Sequence, residues 1–87
     1  GSRIALSGEQ KVGRSAGCDI TIDDARVSRG HAMLRVIGDR LTVEDLGSAN
    51  GTRVNEMATI GEVALADGDI VCFEKHCYGV ALAGGYQ

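Results

Sequence analysis

The chain of 87 residues predicts an all-β sandwich, and three observations point there. Apolar and polar residues alternate with a period of two through most of its length, as in strands with one buried face. Such segments recur every ~8–12 residues, punctuated by Gly and Asp. No stretch of about ten residues or more carries a convincing helical period.

The elements follow in order. "DITI" (Asp19–Ile22) is a short strand between turn-rich flanks. "HAMLRVIGDRLTVEDL" reads as two strands, His31–Ile37 and Leu41–Leu46, joined at Gly38-Asp39. Ala32, Leu34 and Val36 share one face, with Leu41 and Val43 on the partner strand. "TRVN" (52–55) and "EVAL" (62–65) give shorter strands. "GDIVCF" (Gly68–Phe73) and "CYGVALA" (Cys77–Ala83) form a terminal hairpin through Glu74-Lys75-His76. There is no repeat, linker or low-complexity tract, so residues 1–87 read as one domain. Gly1-Ser2, with no methionine, reads as a cloning remnant ahead of an excised domain.

Composition narrows the function. A hydrophobic fraction of 44% suits a globular protein, and an aromatic fraction of 3% requires a core of Val, Ile, Leu, Ala and Met. Nine Lys and Arg against twelve Asp and Glu, for a net charge of −3, argue against a protein that grips nucleic acid by its phosphates. No apolar run reaches the ~18 residues of a membrane span, and no secretory signal is present. Cys18, Cys72 and Cys77 are odd in number and lack metal-binding spacing. They read as reduced thiols of a cytoplasmic domain that uses no metal or cofactor.

Three polar stretches are candidate loops: "GRSAGC" (13–18), "DDARVSRG" (23–30) and "GSANGT" (47–52). Loops of a sandwich gather at its ends, so these can meet at one site. Each alone has a turn explanation, Asn50-Gly51 above all. Together they raise a choice at "ARVSRGH" (25–31). Ser28, His31 and Asp45 could be a nucleophile, its base and an orienting carboxylate. No G-x-S-x-G elbow is present, and His31 opens a strand near the core side, where histidine is usually structural. Anion binding fits better: Arg14, Arg29, the hydroxyls of Ser15 and Ser28, and loop N–H groups are donors, and a guanidinium can hold phosphate through two parallel bonds.

"VGR" at 12–14, "SRGH" at 28–31, "DLGSANGT" at 45–52 and "VN" at 54–55 resemble, in order and spacing, the pattern of the forkhead-associated (FHA) domain family. The resemblance runs from about Lys11 to Leu82. It implies an FHA-type (SMAD/FHA-like) sandwich of two twisted, mostly antiparallel sheets that recognises phosphothreonine in partner proteins and is not an enzyme. Carried over by position, Arg14 and Ser28 would bind phosphate with help from Arg29. Asn50 would hold the peptide backbone, and Asn55 would fasten the loop that presents it. Gly13 and Gly51 would permit tight turns, His31 would brace the loop from within, and Thr52 would belong to the same supporting frame. Arg26 would select side chains beyond the phosphothreonine.

Two departures stand out. Ala49 occupies a position where the family often has threonine, leaving binding weaker or Arg29 to compensate. "RIALSGEQKVGR" (3–14) matches the strand entering the Gly-Arg turn, but the family's preceding strand is missing, which would expose an edge to self-association. The reading is a phosphothreonine-dependent protein-binding module with no nucleic-acid partner and no membrane insertion. Its rival is an FHA-fold scaffold or oligomerisation module independent of phosphorylation.

Overall fold

Alternation along "AMLRVI" and "RLTVED" turns Ala32, Leu34, Val36, Leu41 and Val43 to one side, with Thr42 also buried on the other, and these two strands form the spine of the fold. The computed structural model describes residues 8–82. Its strands are β1 (Glu9–Gly13), β2 (Ile20–Thr21), β3 (Ala32–Ile37), β4 (Arg40–Asp45), β5 (Thr52–Val54), β6 (Met57–Ala58), β7 (Glu62–Leu65), β8 (Ile70–Phe73) and β9 (His76–Gly79). They make a five-stranded sheet, β2-β1-β3-β4-β7, and a four-stranded sheet, β6-β5-β8-β9. Every pairing is antiparallel except β1 with β2.

Between the sheets lie Val12, Val27, Ala32, Leu34, Leu41, Val43, Leu65, Val71 and Phe73, all buried. Among the described residues Phe73 is the one fully buried Phe, Tyr or Trp, with Tyr78 half-buried against it. On the outer face of the larger sheet, Arg35 reaches Glu9 at 2.9 Å, Glu44 at 2.9 Å and Glu62 at 3.3 Å. One guanidinium thus ties β3 to β1, β4 and β7, and the surrounding carboxylates hold it in its charged form. Among the described residues no helix is long and apolar enough to cross a membrane.

Several expected boundaries shift. The strand expected over Asp19–Ile22 shrinks to Ile20–Thr21, because Asp19 turns its carboxylate to the Lys11 N–H at 2.9 Å. Strand β6 carries too few residues to show alternation. Residue 83 and the start of "RIALSGEQKVGR", with the question of a preceding strand, lie outside the described residues.

The terminal hairpin differs in register. Its turn is Glu74-Lys75, with Glu74 at φ 58°, so Phe73 faces His76 and Cys72 faces Cys77. A turn that included His76 would have set Phe73 opposite Cys77. The true register joins Cys72 and Cys77 in a disulfide, which corrects the expectation of three reduced thiols. Cys18 alone is free, and it is buried.

A bridge across a sequence separation of 5 restrains little unfolded chain, so its loss should lower stability by no more than roughly 2 kcal/mol. Urea unfolding with and without a dithiol reductant checks this. Complete unfolding on reduction would show that the hairpin depends on the bond.

Candidate functional site

The site is organised by a histidine with no exposure to solvent. His31 is 0% exposed and sits just ahead of β3, where its backbone N–H bonds to the Val12 carbonyl at 2.8 Å. Its Nδ1 accepts the backbone N–H of Ser28 at 3.2 Å, and its Nε2 lies 2.8 Å from the carbonyl of Gly51. A carbonyl only accepts, so Nε2 carries the proton and the ring is neutral. The imidazole therefore links the β2–β3 loop to the β4–β5 loop. Phe73 packs edge-on against it, with ring centroids 5.9 Å apart. Both ring nitrogens are engaged, so neither is placed to deprotonate the Ser28 hydroxyl, and the triad geometry is absent.

Around this pin stand the expected phosphate ligands. The Arg14 N–H donates to the Ser28 carbonyl at 3.0 Å, and Arg14 Nε donates to the Val27 carbonyl at 3.1 Å. These bonds hold the stem of the guanidinium, and among the described residues its two terminal nitrogens have no hydrogen-bond partner on this exposed side chain. Ser28 Oγ accepts the Ala49 N–H at 2.9 Å, so its own proton remains to be donated. Ala49 thus reaches Ser28 through its backbone, although it lacks a hydroxyl. Arg29 is exposed, and its carbonyl receives the Ser15 N–H at 3.3 Å and the Cys18 thiol at 3.1 Å. Ser15 spends its hydroxyl oxygen locally on the Gly17 N–H. Among the described residues neither Arg14 nor Arg29 has an acidic partner.

Gly13 is required for a different reason from the one expected. A Cβ there would lie 2.1 Å from the Arg29 carbonyl oxygen, so the close approach of two backbones forbids any side chain. Gly51 matches the turn expectation, with φ 82°.

The "DLGSANGT" loop is folded around its first residue, Asp45, whose structural role the motif alone does not reveal. Its carboxylate accepts the N–H groups of Gly47 at 3.0 Å and Ser48 at 2.9 Å, the Thr52 hydroxyl at 2.8 Å, and the Ser48 hydroxyl. Burial pushes the Asp45 carboxyl up, but these donors outweigh it and hold it below the ordinary value of 3.8. Thr52, 1% exposed, belongs to this frame. Asn50 stands at the tip and donates to the Arg26 carbonyl at 2.6 Å, joining the two recognition loops.

Asn55 does not join them. It lies past the far end of β5, where Nδ2 donates to Asp69 at 3.0 Å and Oδ1 accepts the Ile70 N–H at 3.0 Å. Both ends of its amide are engaged within this turn, where Asn55 has φ 51°, so it fastens the end of β5 to the start of β8. Arg26 is exposed on the β2–β3 loop, and its Nη1 lies 3.5 Å from Glu74 Oε1. Beside it, His76 Nε2 lies 2.8 Å from Asp24 Oδ2. The Arg26 N–H and the His76 ring hold Asp24 below its ordinary 3.8. Neither contact was foreseen, because each joins residues distant in sequence. Among the described residues no group of three His, Cys, Asp or Glu is placed to hold a metal ion.

The sequence and fold resemble those of known proteins. The FHA domain family model matches residues 11–74. The oxoglutarate dehydrogenase inhibitor of Corynebacterium jeikeium is 46% identical over 76 residues, covering 86% of this chain and 52% of that protein. The chain therefore spans about half the length of that relative. A solved structure of Mycobacterium tuberculosis EmbR in complex with a low affinity phosphopeptide superposes with a TM-score of 0.84 at 31% identity, over 92% of this chain and 21% of that one. A structure from work on phosphothreonine-dependent FHA domain interactions gives a TM-score of 0.82 at 32% identity, over 90% of this chain and 80% of that one. The protein belongs to the FHA domain family.

His31→Ala removes a buried ring and both of its bonds, and should cost about 2–4 kcal/mol of stability. A thermal melt checks this, and an unchanged melting temperature would contradict the pinning role. Asp45 gives a pH signature. Its depressed carboxyl contributes stability that is fully present above the ordinary value of 3.8 and is lost as pH falls through the lower folded value. Melting wild type and Asp45→Asn side by side should show a gap at neutral pH that narrows below 3.8. A gap constant with pH would show that the charge is immaterial.

Proposed function

We propose that the chain is a non-catalytic module that binds threonine-phosphorylated segments of partner proteins through the loops at one end of the sandwich. The observation that carries this reading is the placing of Arg14, Ser28 and Arg29 on adjoining loops pinned by His31, with two guanidinium groups that have no acidic partner among the described residues. A phosphate bearing −1.5 to −2 charges can take two parallel bonds from Arg14 and one from the Ser28 hydroxyl. Kinship supports it, since related FHA structures were solved with a phosphopeptide or in phosphothreonine-dependent interactions.

Arg29 adds positive potential, and Asn50 meets the peptide backbone from the tip of its loop. Arg26 reads side chains beyond the phosphothreonine, and its guanidinium taken by itself would favour Asp or Glu at the third residue after it. An exposed pair of that kind contributes only about 0.2–1 kcal/mol. A cytoplasmic setting no longer rests on reduced thiols, since two of the three are bonded. It rests on kinship with an inhibitor of a metabolic dehydrogenase.

The rival scaffold reading has Ala49 in its favour, but the Ala49 N–H already supports Ser28. Calorimetric titration with a phosphothreonine peptide and its unphosphorylated twin separates the two. Arg14→Ala should weaken phosphopeptide binding by at least about 1.5–3 kcal/mol, the size of a hydrogen bond to a charged group, and leave the melting temperature near wild type. Equal binding of both peptides by wild type would favour the scaffold.

A further inference from the structure

The tip of the β8–β9 hairpin reaches the loop that carries the proposed phosphate site. Phe73 packs on His31, Glu74 faces Arg26, and His76 holds Asp24. Within this clasp the Arg26–Glu74 pair is asymmetric. The Arg26 side chain is 63% exposed and Glu74 only 17%. Glu74 is also fixed by its backbone, because its carbonyl accepts Arg53 Nη2 at 2.7 Å. The guanidinium is free to swing toward a ligand, whereas the carboxylate stays against the fold. Asp24 meets Arg26 through the backbone, accepting its N–H, and turns its other oxygen to His76; the guanidinium's ion-pair partner among the described residues is Glu74.

We propose that Glu74 is a specificity-determining residue, its carboxylate competing with acidic side chains of a bound phosphopeptide for Arg26. The inference rests on the phosphothreonine reading above. Arg26 alone would favour an acidic residue within its reach. With Glu74 beside it, an incoming carboxylate gains the guanidinium only by displacing or crowding a like charge, and two pairs that share one exposed guanidinium nearly cancel. The wild-type site therefore admits neutral and acidic residues almost equally at that position, and phosphate supplies most of the selection.

The test is an array of phosphothreonine peptides in which each flanking position carries Asp or Ala in turn, with unphosphorylated controls. It is read with wild type, Glu74→Gln, Arg26→Ala and the double variant. Glu74→Gln keeps the size and hydrogen-bonding reach of the side chain and removes its charge. At the position Arg26 reaches, the Asp-to-Ala affinity ratio should be near one for wild type and rise about threefold in Glu74→Gln. The gain should shrink as salt rises and vanish in the double variant. Glu74→Asp, which withdraws the carboxylate by one methylene, should move the ratio the same way and gives a second reading if the glutamine disturbs the turn. A wild type that selects phosphopeptides while both variants keep its ratio overturns the inference and leaves the function standing. An equal rise in the Arg26→Ala background also overturns it, because Glu74 would then repel acids without Arg26. A wild type indifferent to phosphate overturns the function and the inference with it.

Discussion

Everything at the recognition end hangs on the two bonds of the His31 ring. A histidine with no solvent contact must satisfy both nitrogens inside the protein, and here each is satisfied by a different loop. The ring thereby converts a burial requirement into a distance constraint between Ser28 and Gly51. The constraint is passed outward, because the Ser28 carbonyl positions Arg14 and the Ser28 hydroxyl receives Ala49. Phosphate ligands on flexible loops lose affinity to the entropy of ordering them. Loops already fixed by an interior ring are spared most of that loss.

The second loop reaches the same end by another route. Asp45 gathers four donors and leaves the "SAN" segment a single shape. Asp45 and His31 are neighbours, with Asp45 Oδ1 and His31 Nε2 4.0 Å apart. The acid and the histidine that suggested a catalytic pair on paper are thus two architectural posts, Asp45 holding one loop and His31 bridging both. Residue types alone do not reveal which lone pairs are already used, so Ser28, His31 and Asp45 leave a triad conceivable on paper that the hydrogen bonds exclude.

Period-two alternation made the central strands legible: Ala32, Leu34, Val36, Leu41 and Val43 all face inward as read. Arg14, Ser28 and Asn50 were legible as a group because their motifs sit on loops at compatible spacing. The hairpin was harder. Glu74 adopts a positive φ without the Gly or Asn that normally announces one, so the turn was read one residue too long. That single slip concealed the facing of Cys72 and Cys77 and sent His76 into the loop instead of the strand. The Asp24–His76 and Arg26–Glu74 contacts span 52 and 48 residues. No local pattern encodes such pairs, and only the assembled sheets bring them together.

The near absence of aromatic residues has an experimental consequence. With no tryptophan in the chain, binding offers no intrinsic indole fluorescence to follow. Yet Phe73, the aromatic residue of the core, lies edge-on to the ring that joins the two recognition loops, their planes at 87°. Ring currents fall steeply with distance and orientation, so the carbon-bound protons of this pair resonate according to how the loops are held. Magnetic resonance of one imidazole therefore reads the posture of the whole recognition surface from inside the protein, without a label and without touching the ligand.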